Sequence, residues 1–245
     1  VRVVPRMNHY VIEVVYQVKE KTHCDNGKCA AIDLGLNNLA TVVFNEGSKP
    51  LIVNGRPLKS INQYYNKKKA KYQSRLKENK RTSKRICTLT NKRNNKVTDY
   101  LHKASRLLVN QLVSQGITTL VIGKNKNMKQ DINIGKVNNQ NFVQLPIMRF
   151  ADLMKYKCEL EGINVVYHEE SYTSKCSFLD GEPICKHDKY MGKRVTRGLF
   201  VSRSGIKINA DVNGAYNIMI KAIPNAFANG IEGVGVHPMV LTIKE

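Results

Sequence analysis

The chain has 245 residues and a formal net charge of +21, from 40 Lys and Arg against 19 Asp and Glu. A hydrophobic content of 42% excludes disorder throughout, and no apolar run approaches the ~20 residues that span a bilayer, so no membrane role is expected. The charge points to a polyanionic partner, with nucleic acid ahead of an anionic surface.

The N-terminus, VRVVPRMNHYVIEVV, lacks signal-peptide order, and the six Cys form no extracellular framework. A thiol-reducing, cytoplasmic compartment is expected. The chain begins at Val1 rather than Met and reads as part of a longer protein. Alternating Tyr10, Ile12, Val14, Tyr16 and Val18 predict a strand, and EKTHCDNGKC predicts a linker. CAAIDLG, LATVVFN and PLIVNG then read as a β-meander. Between Lys59 and Lys103 stand fifteen Lys and Arg against Glu78 and Asp99, so about thirteen of the net charges fall there. Ile61, Tyr64, Tyr65, Tyr72 and Leu76 give that stretch a helical face, while its charge suits a phosphate-tracking surface.

Leu101, Ala104, Leu108 and Leu112 predict an amphipathic helix over 98–115, with Gly116 as its C-cap. TTLVI (118–122) is a short strand. Pro146 opens a second helix carrying Ile147, Phe150, Met154 and Cys158, which Gly162 ends, and INVVYH (163–168) is another strand. Residues 171–207 read as an irregular insert, and 211–223 as a last helix. The tail after Pro224 is expected to be peripheral. Three antiparallel strands followed by helix-linked strands are the ribonuclease H-like arrangement.

Three acids sit where chemistry is possible. Asp33 interrupts an apolar strand, where an unpaired carboxylate is costly and calls for a cation or strong donors; the alternative is a turn cap before Gly35. Glu170 ends the strand VVYHEE beside Glu169, and the alternative is an exposed strand end. Asp211 opens the last helix, where Asp is also a common N-cap. Carboxylates from separate segments are what a pair of hard divalent cations requires.

AIDLGLNNLATV resembles the first motif of a RuvC nuclease domain, and NADVNGAYNI its third. HKASRLLVNQLVSQGITTLVIG and SYTSKCSFLDG lie between them in the expected order, and IVNGRPLKSINQYYNKKKAKYQS resembles the intervening strand-to-helix segment. Over 28–223 the chain is similar to TnpB-type (OrfB) proteins of insertion sequences, relatives of type V CRISPR effectors. The resemblance implies an α/β fold: a ribonuclease H-like (RuvC) mixed sheet with flanking helices and a degenerate zinc-ribbon insert. It implies an RNA-guided, Mg²⁺- or Mn²⁺-dependent DNA endonuclease using two ions, with Asp33 and Asp211 as metal ligands. DNA and a guide RNA are the expected partners, in the cytoplasm at the nucleoid. Residues 1–22 would end an N-terminal, wedge-like nucleic-acid-binding domain, and 224–245 would be a C-terminal tail.

Two departures from the family pattern stand out. Gly123 occupies the place where a catalytic Glu is expected. With strands ~4.8 Å apart, a long side chain at the end of the last strand can reach across a glycine toward the first. The expected set is therefore Asp33, Glu170 and Asp211, with Glu169 as fallback; a decayed, non-cleaving nucleic-acid binder is the alternative. The ribbon retains Cys176 and Cys185, with His187, Asp180 and Asp188 nearby, and its second Cys pair is absent. Zinc wants four N or S ligands, so the balance favours a metal-free insert over a vestigial site on Cys176 and Cys185. Phosphate contacts are expected from Lys67, Lys68, Lys69, Lys71, Arg75, Lys84, Arg85, Lys124, Lys126 and Arg197, with Arg203 as an addition.

Overall fold

The computed structural model describes residues 1–6, 9–46, 48–77, 79–124, 146–228, 230–231 and 234–243. It opens with a hairpin of β1 (Arg2–Arg6) and β2 (His9–Glu13), paired only with each other among the described residues. Tyr10, Ile12, Val14 and Tyr16 are exposed there. The strand predicted over 9–18 stops at Glu13, and 14–26 run without regular structure to the first core strand.

The meander forms as its composition dictates. β3 (Cys29–Leu34), β4 (Asn38–Phe44) and β5 (Leu51–Asn54) pair antiparallel in succession. Two helices follow: α1 (Arg56–Gln73), which starts with Pro57 in its first turn, and α2 (Lys84–Ser114). α2 is one 31-residue helix that begins fourteen residues before the predicted start. Ser83 caps it, its side chain accepting from the Ile86 N–H at 3.3 Å. Buried Ile86 and Val97 carry its apolar stripe back into the basic stretch, where the density of Lys and Arg hides the periodicity. Gly116, at φ +69°, turns the chain out of the helix.

β6 (Thr119–Gly123), α3 (Ile147–Leu160), β7 (Asn164–His168) and α4 (Ala210–Ala222) complete the central layers. Between β7 and α4, the insert carries a separate small sheet of β8 (Lys193–Thr196), β9 (Leu199–Val201) and β10 (Lys207–Asn209). The tail returns to the main sheet as β11 (Met239–Leu241), parallel to β5. The expectation of a peripheral tail is corrected here: Met239 N–H donates to Pro50 O at 2.8 Å, and Ile231, Val234 and Val236 pack on the core. Several Gly between the tail's apolar residues, and a strand of only three residues, conceal this edge strand in the sequence.

The six-stranded sheet runs β11-β5-β4-β3-β6-β7, with β3, β6 and β7 parallel. Each face covers a core. Ala30, Ile32 and Leu34 face α2 and α3, where Leu101, Leu108, Phe150 and Met154 are buried. Cys29, Ala31 and Val121 face α4, with Phe178, Tyr216 and Phe200. Strand alternation therefore aims Asp33 and Gly123 at the α4 side. The β3–β6 register, Ile32 opposite Ile122, sets Asp33 and Gly123 side by side at the C-terminal ends of their strands.

Candidate active site

Asp33 stands near the end of β3, Asp211 in the first turn of α4, and Glu170 two residues beyond β7. The gap that admits Glu170 is Gly123: a Cβ there would lie 2.6 Å from Glu170 Oε2 and 2.6 Å from Ile218 Cδ1. The Glu170 carboxylate thus occupies the space that a side chain on residue 123 would fill. Gly214 of α4 makes a similar allowance, since its Cβ would stand 3.3 Å from Asp33 Oδ2. At both glycines a carboxylate oxygen lies close to where a side chain would begin, more closely at Gly123 than at Gly214.

Electrostatics agree with the convergence on Asp33. Burial first, then Glu170 and Asp211, push its carboxyl well above the usual range, with Arg194 opposing. Burial and then Glu169 likewise raise Glu170, against Lys221. Glu169 behaves otherwise. Its side chain accepts from Lys221 Nζ at 2.7 Å and from Ser171 Oγ at 2.7 Å, and these bonds hold it down to about 2. The two adjacent acids differ: Glu169 is engaged by Lys221, while a Glu170 oxygen lies against Gly123.

Asp211 accepts from Asn38 Nδ2 at 2.7 Å and pairs with Arg194 at 3.1 Å. Asn209, not Asp211, caps α4, accepting from the Asp211 and Val212 N–H groups. The capping alternative for Asp211 is therefore removed, and its carboxylate faces the cleft. That cleft has a volume of about 630 Å³ and is lined by Asp33, Asn38 and Asp211 together with Arg56, Arg194 and Arg197. Lys59 donates to Asn37 Oδ1 beside it, and burial first, then Arg197 and Arg56, lower its affinity for a proton.

Arg194 belongs to this site although nothing in the sequence singles it out. It lies in KRVTRG among other cations, and no spacing sets it apart. Only the β8–β9 hairpin folding back brings it to Asp211, with Arg194 Nε also donating to Arg197 O at 3.0 Å.

The turn after Glu170 is clamped from α4. Asn213 Nδ2 donates to Cys176 O at 2.9 Å, and Asn217 Nδ2 donates to Thr173 O and Cys176 O. One turn apart on the helix, these two amides fix SYTSKCS, and Tyr172 there holds φ +66°. The hydroxyl-rich segment is thus a bonded turn, with Thr173 Oγ1 donating to Glu170 O at 2.8 Å.

In the ribbon region Cys176 is buried and its thiol donates to Cys185 O at 3.6 Å, while exposed Cys185 faces His187 Nε2 at 3.4 Å. Asp180 accepts from Arg203 N–H at 2.8 Å, linking the two halves of the insert. Buried Glu182 accepts from the Ser177 and Met191 N–H groups. Among the described residues, no three His, Cys, Asp or Glu stand close enough to hold one ion together, in the insert or in the cleft.

Of the expected phosphate contacts, Lys67, Lys71, Arg75, Lys84, Arg85, Lys124 and Arg197 are exposed, and Lys68 and Lys69 are half-buried along α1. Lys126 lies outside the described residues. Among the described residues, no helix is long and apolar enough to cross a membrane.

Fold and cleft together describe a mixed α/β chain with acids at the C-terminal ends of its central parallel strands and arginines lining the same cleft. A profile described as a probable transposase (OrfB_IS605) matches 9–129, and one described as Cas12f1-like, TNB domain, matches 148–218. Over these two segments the chain is similar to TnpB-type (OrfB) proteins.

Among relatives, "CRISPR-associated endodeoxyribonuclease Cas12f2" of Micrarchaeota archaeon (strain CG1_02_47_40) is 26% identical over 88% of this chain and 41% of its own length. TnpB-like protein ORF457 of Acidianus two-tailed virus is 27% identical over 80% of this chain and 42% of its own. TnpB-like protein MJ0751 of Methanocaldococcus jannaschii is 25% identical over 78% and 68%. The chain thus spans about two-fifths of the first two. Its fold is similar to that in a Cas12f1–sgRNA–target DNA complex, with TM-score 0.56 at 17% identity over 80% of this chain and 50% of that one. A CRISPR-Cas12f ternary complex gives TM-score 0.58 at 17% identity over 85% and 41%.

Proposed function

We propose that this chain is the RuvC-like nuclease part of an RNA-guided DNA endonuclease encoded by a mobile element, with Asp33, Glu170 and Asp211 as its acidic residues. The observation that carries this reading is the Glu170 oxygen 2.6 Å from the Cβ position of Gly123. The strand where this family expects a catalytic Glu carries a glycine, and the acid arrives from the next strand to fill the same space.

The donor set suits Mg²⁺ or Mn²⁺. Asp33 feels the charge of both Glu170 and Asp211, so without a cation it is driven toward its protonated form, although the three carboxylates do not close on one point in the metal-free chain. Asp33, coupled to both other acids, would be the shared ligand, with Glu170 and Asp211 completing the site. Bound there, the metal would supply an activated water and stabilise the leaving 3′-oxygen.

The chain's own residues do the rest. Arg194 neutralises Asp211 in the metal-free protein, and its guanidinium stands in the cleft where a scissile phosphate would lie. Arg56 and Arg197 add charge to the same wall and would orient the phosphodiester. Asn38 holds Asp211 by its second oxygen. The Asn213 and Asn217 clamp keeps Glu170 aimed at Asp33 rather than at solvent. The basic α1 and α2 would track a guide–target heteroduplex, with sequence read by base pairing. A cytoplasmic, nucleoid-associated site of action follows from that substrate.

The test is cleavage of labelled single-stranded DNA by the purified chain, with and without co-purified RNA, in Mg²⁺ or Mn²⁺. Asp33→Ala, Glu170→Ala and Asp211→Ala should each abolish product while leaving DNA binding intact. Binding without cleavage by the parent chain would favour a non-cleaving binder of the same family.

A further inference from the structure

A second concavity lies between α1 and the first half of α2, about 810 Å³ in volume, within the ~300–1,000 Å³ range of ligand sites. Its apolar part is Ile61, Leu89 and the rings of Tyr64, Tyr65 and Tyr72. Its charged residues are Arg85, Lys92, Arg93 and Lys96, and no described carboxylate lines it. Tyr65 is buried and tied to Thr90 Oγ1 at 3.1 Å, with Arg93 over its ring, so these two build the floor. Tyr64, by contrast, is 61% exposed, and Arg85 lies over Tyr72 with its guanidinium carbon 4.5 Å from the ring centroid.

Rings presented at a rim of cations, without acids, fit one occupant: a base on the rings and its phosphates on the Lys and Arg. A second copy of this basic chain would be repelled, and an acidic peptide would leave the ring faces unused.

The groove also continues from the carboxylate cleft. Arg56 lines the cleft, and Ser60 and Tyr64 follow at successive i+4 positions on the same face of α1. Arg56 and Tyr64 are eight residues apart, about 12 Å along the helix, or roughly three or four nucleotides of a stacked strand.

We propose that the α1–α2 groove is a base-stacking subsite for the single-stranded DNA that enters the carboxylate cleft, with Tyr64 and Tyr72 as the platform. This rests on the nuclease reading for its direction, and the subsite itself can be tested apart from cleavage.

The experiment measures binding of the full chain to a short labelled single-stranded DNA in which one abasic site is walked along the strand. Asp33→Ala protein is used so that nothing is cut. Tyr64→Ala should weaken binding to the intact strand about five-fold or more, the lower end of what one missing base–aromatic stack removes. Its log K against log salt slope should not change, because every phosphate keeps its cation. An abasic site three or four nucleotides from the cleft-bound phosphate should reproduce that deficit, and the two deficits should not add. Tyr64→Phe should restore binding, and duplex DNA should be indifferent to all three changes.

Additive deficits at every abasic position would overturn the proposal, as would a deficit confined to RNA or to acidic peptide. If the abasic coupling is present but the parent chain never cleaves, the subsite stands and the nuclease reading falls. If the parent cleaves without coupling, the reverse holds.

Discussion

Gly123 leaves the space that the Glu170 carboxylate takes up. A methyl there would collide with Glu170 Oε2 and with Ile218 Cδ1, both at 2.6 Å. Ile218 can shift its terminal carbon, so the fold should survive Gly123→Ala while Glu170 is displaced. The expected outcome is a melting temperature within a few degrees of the parent and a cleavage rate at least ten-fold lower, read by single-turnover kinetics on the same preparation. The acids also predict a pH profile. Asp33 has its proton affinity raised by folding, so the metal-free fold gains stability as pH falls from neutrality toward the ordinary Asp value. Glu169 is held down to about 2, so its contribution is present above its unfolded value near 4.5 and lost below it. Thermal melts of the metal-free protein should therefore peak in mild acid rather than at neutrality. Mg²⁺ should raise the neutral-pH melting temperature of the parent and not that of Asp33→Asn.

The elements were legible in the sequence to different degrees, and the reasons are physical. β3, β4 and β5 declared themselves because dense apolar runs end in Asn, Gly or Pro. Asp33 could be singled out because a carboxylate inside such a run needs a partner. The choice between Glu169 and Glu170 was not legible. It depends on the Gly123–His168 register and on Lys221, which reaches Glu169 from a helix fifty-two residues away. Arg194 was invisible for a similar reason, since its role comes from a hairpin that pairs only with other insert strands. That insert is held by hydrogen bonds and ring packing. Glu182 ties two N–H groups, Asp180 ties the Arg203 N–H, and Phe178 stacks on Tyr216 with centroids 4.4 Å apart. A zinc-selective chelator added to the Mg²⁺-free protein should leave the melting temperature unchanged. Phe178→Ala should cost about 3–5 kcal/mol, measurable by urea unfolding, because it empties a fully buried site.

At the scale of the whole molecule, the net charge of +21 divides into two jobs. One part lies along α1 and the start of α2, where exposed lysines would form the proposed surface for a phosphate backbone. The other lines the cleft that holds Asp33 and Asp211, where Arg56, Arg194 and Arg197 stand beside the two acids and Asp211 raises the proton affinity of Asp33. The first should govern affinity and its salt dependence. Replacing Lys67 and Lys71 together by Gln should lower the slope of log K against log salt by roughly 0.7–0.9 for each phosphate that is no longer neutralised, in a binding titration over several salt concentrations. The second should govern turnover, and there the central claim is that Glu170 replaces the acid missing from β6. The most direct measurement compares DNA cleavage by Glu170→Ala with cleavage by Glu170→Ala/Gly123→Glu. In the double variant the carboxylate at 170 is gone, so a side chain at 123 can enter the space it vacated. Cleavage should fall roughly 100-fold or more in the single variant and recover substantially in the double. A Glu170→Ala protein that cleaves as fast as the parent would contradict the account.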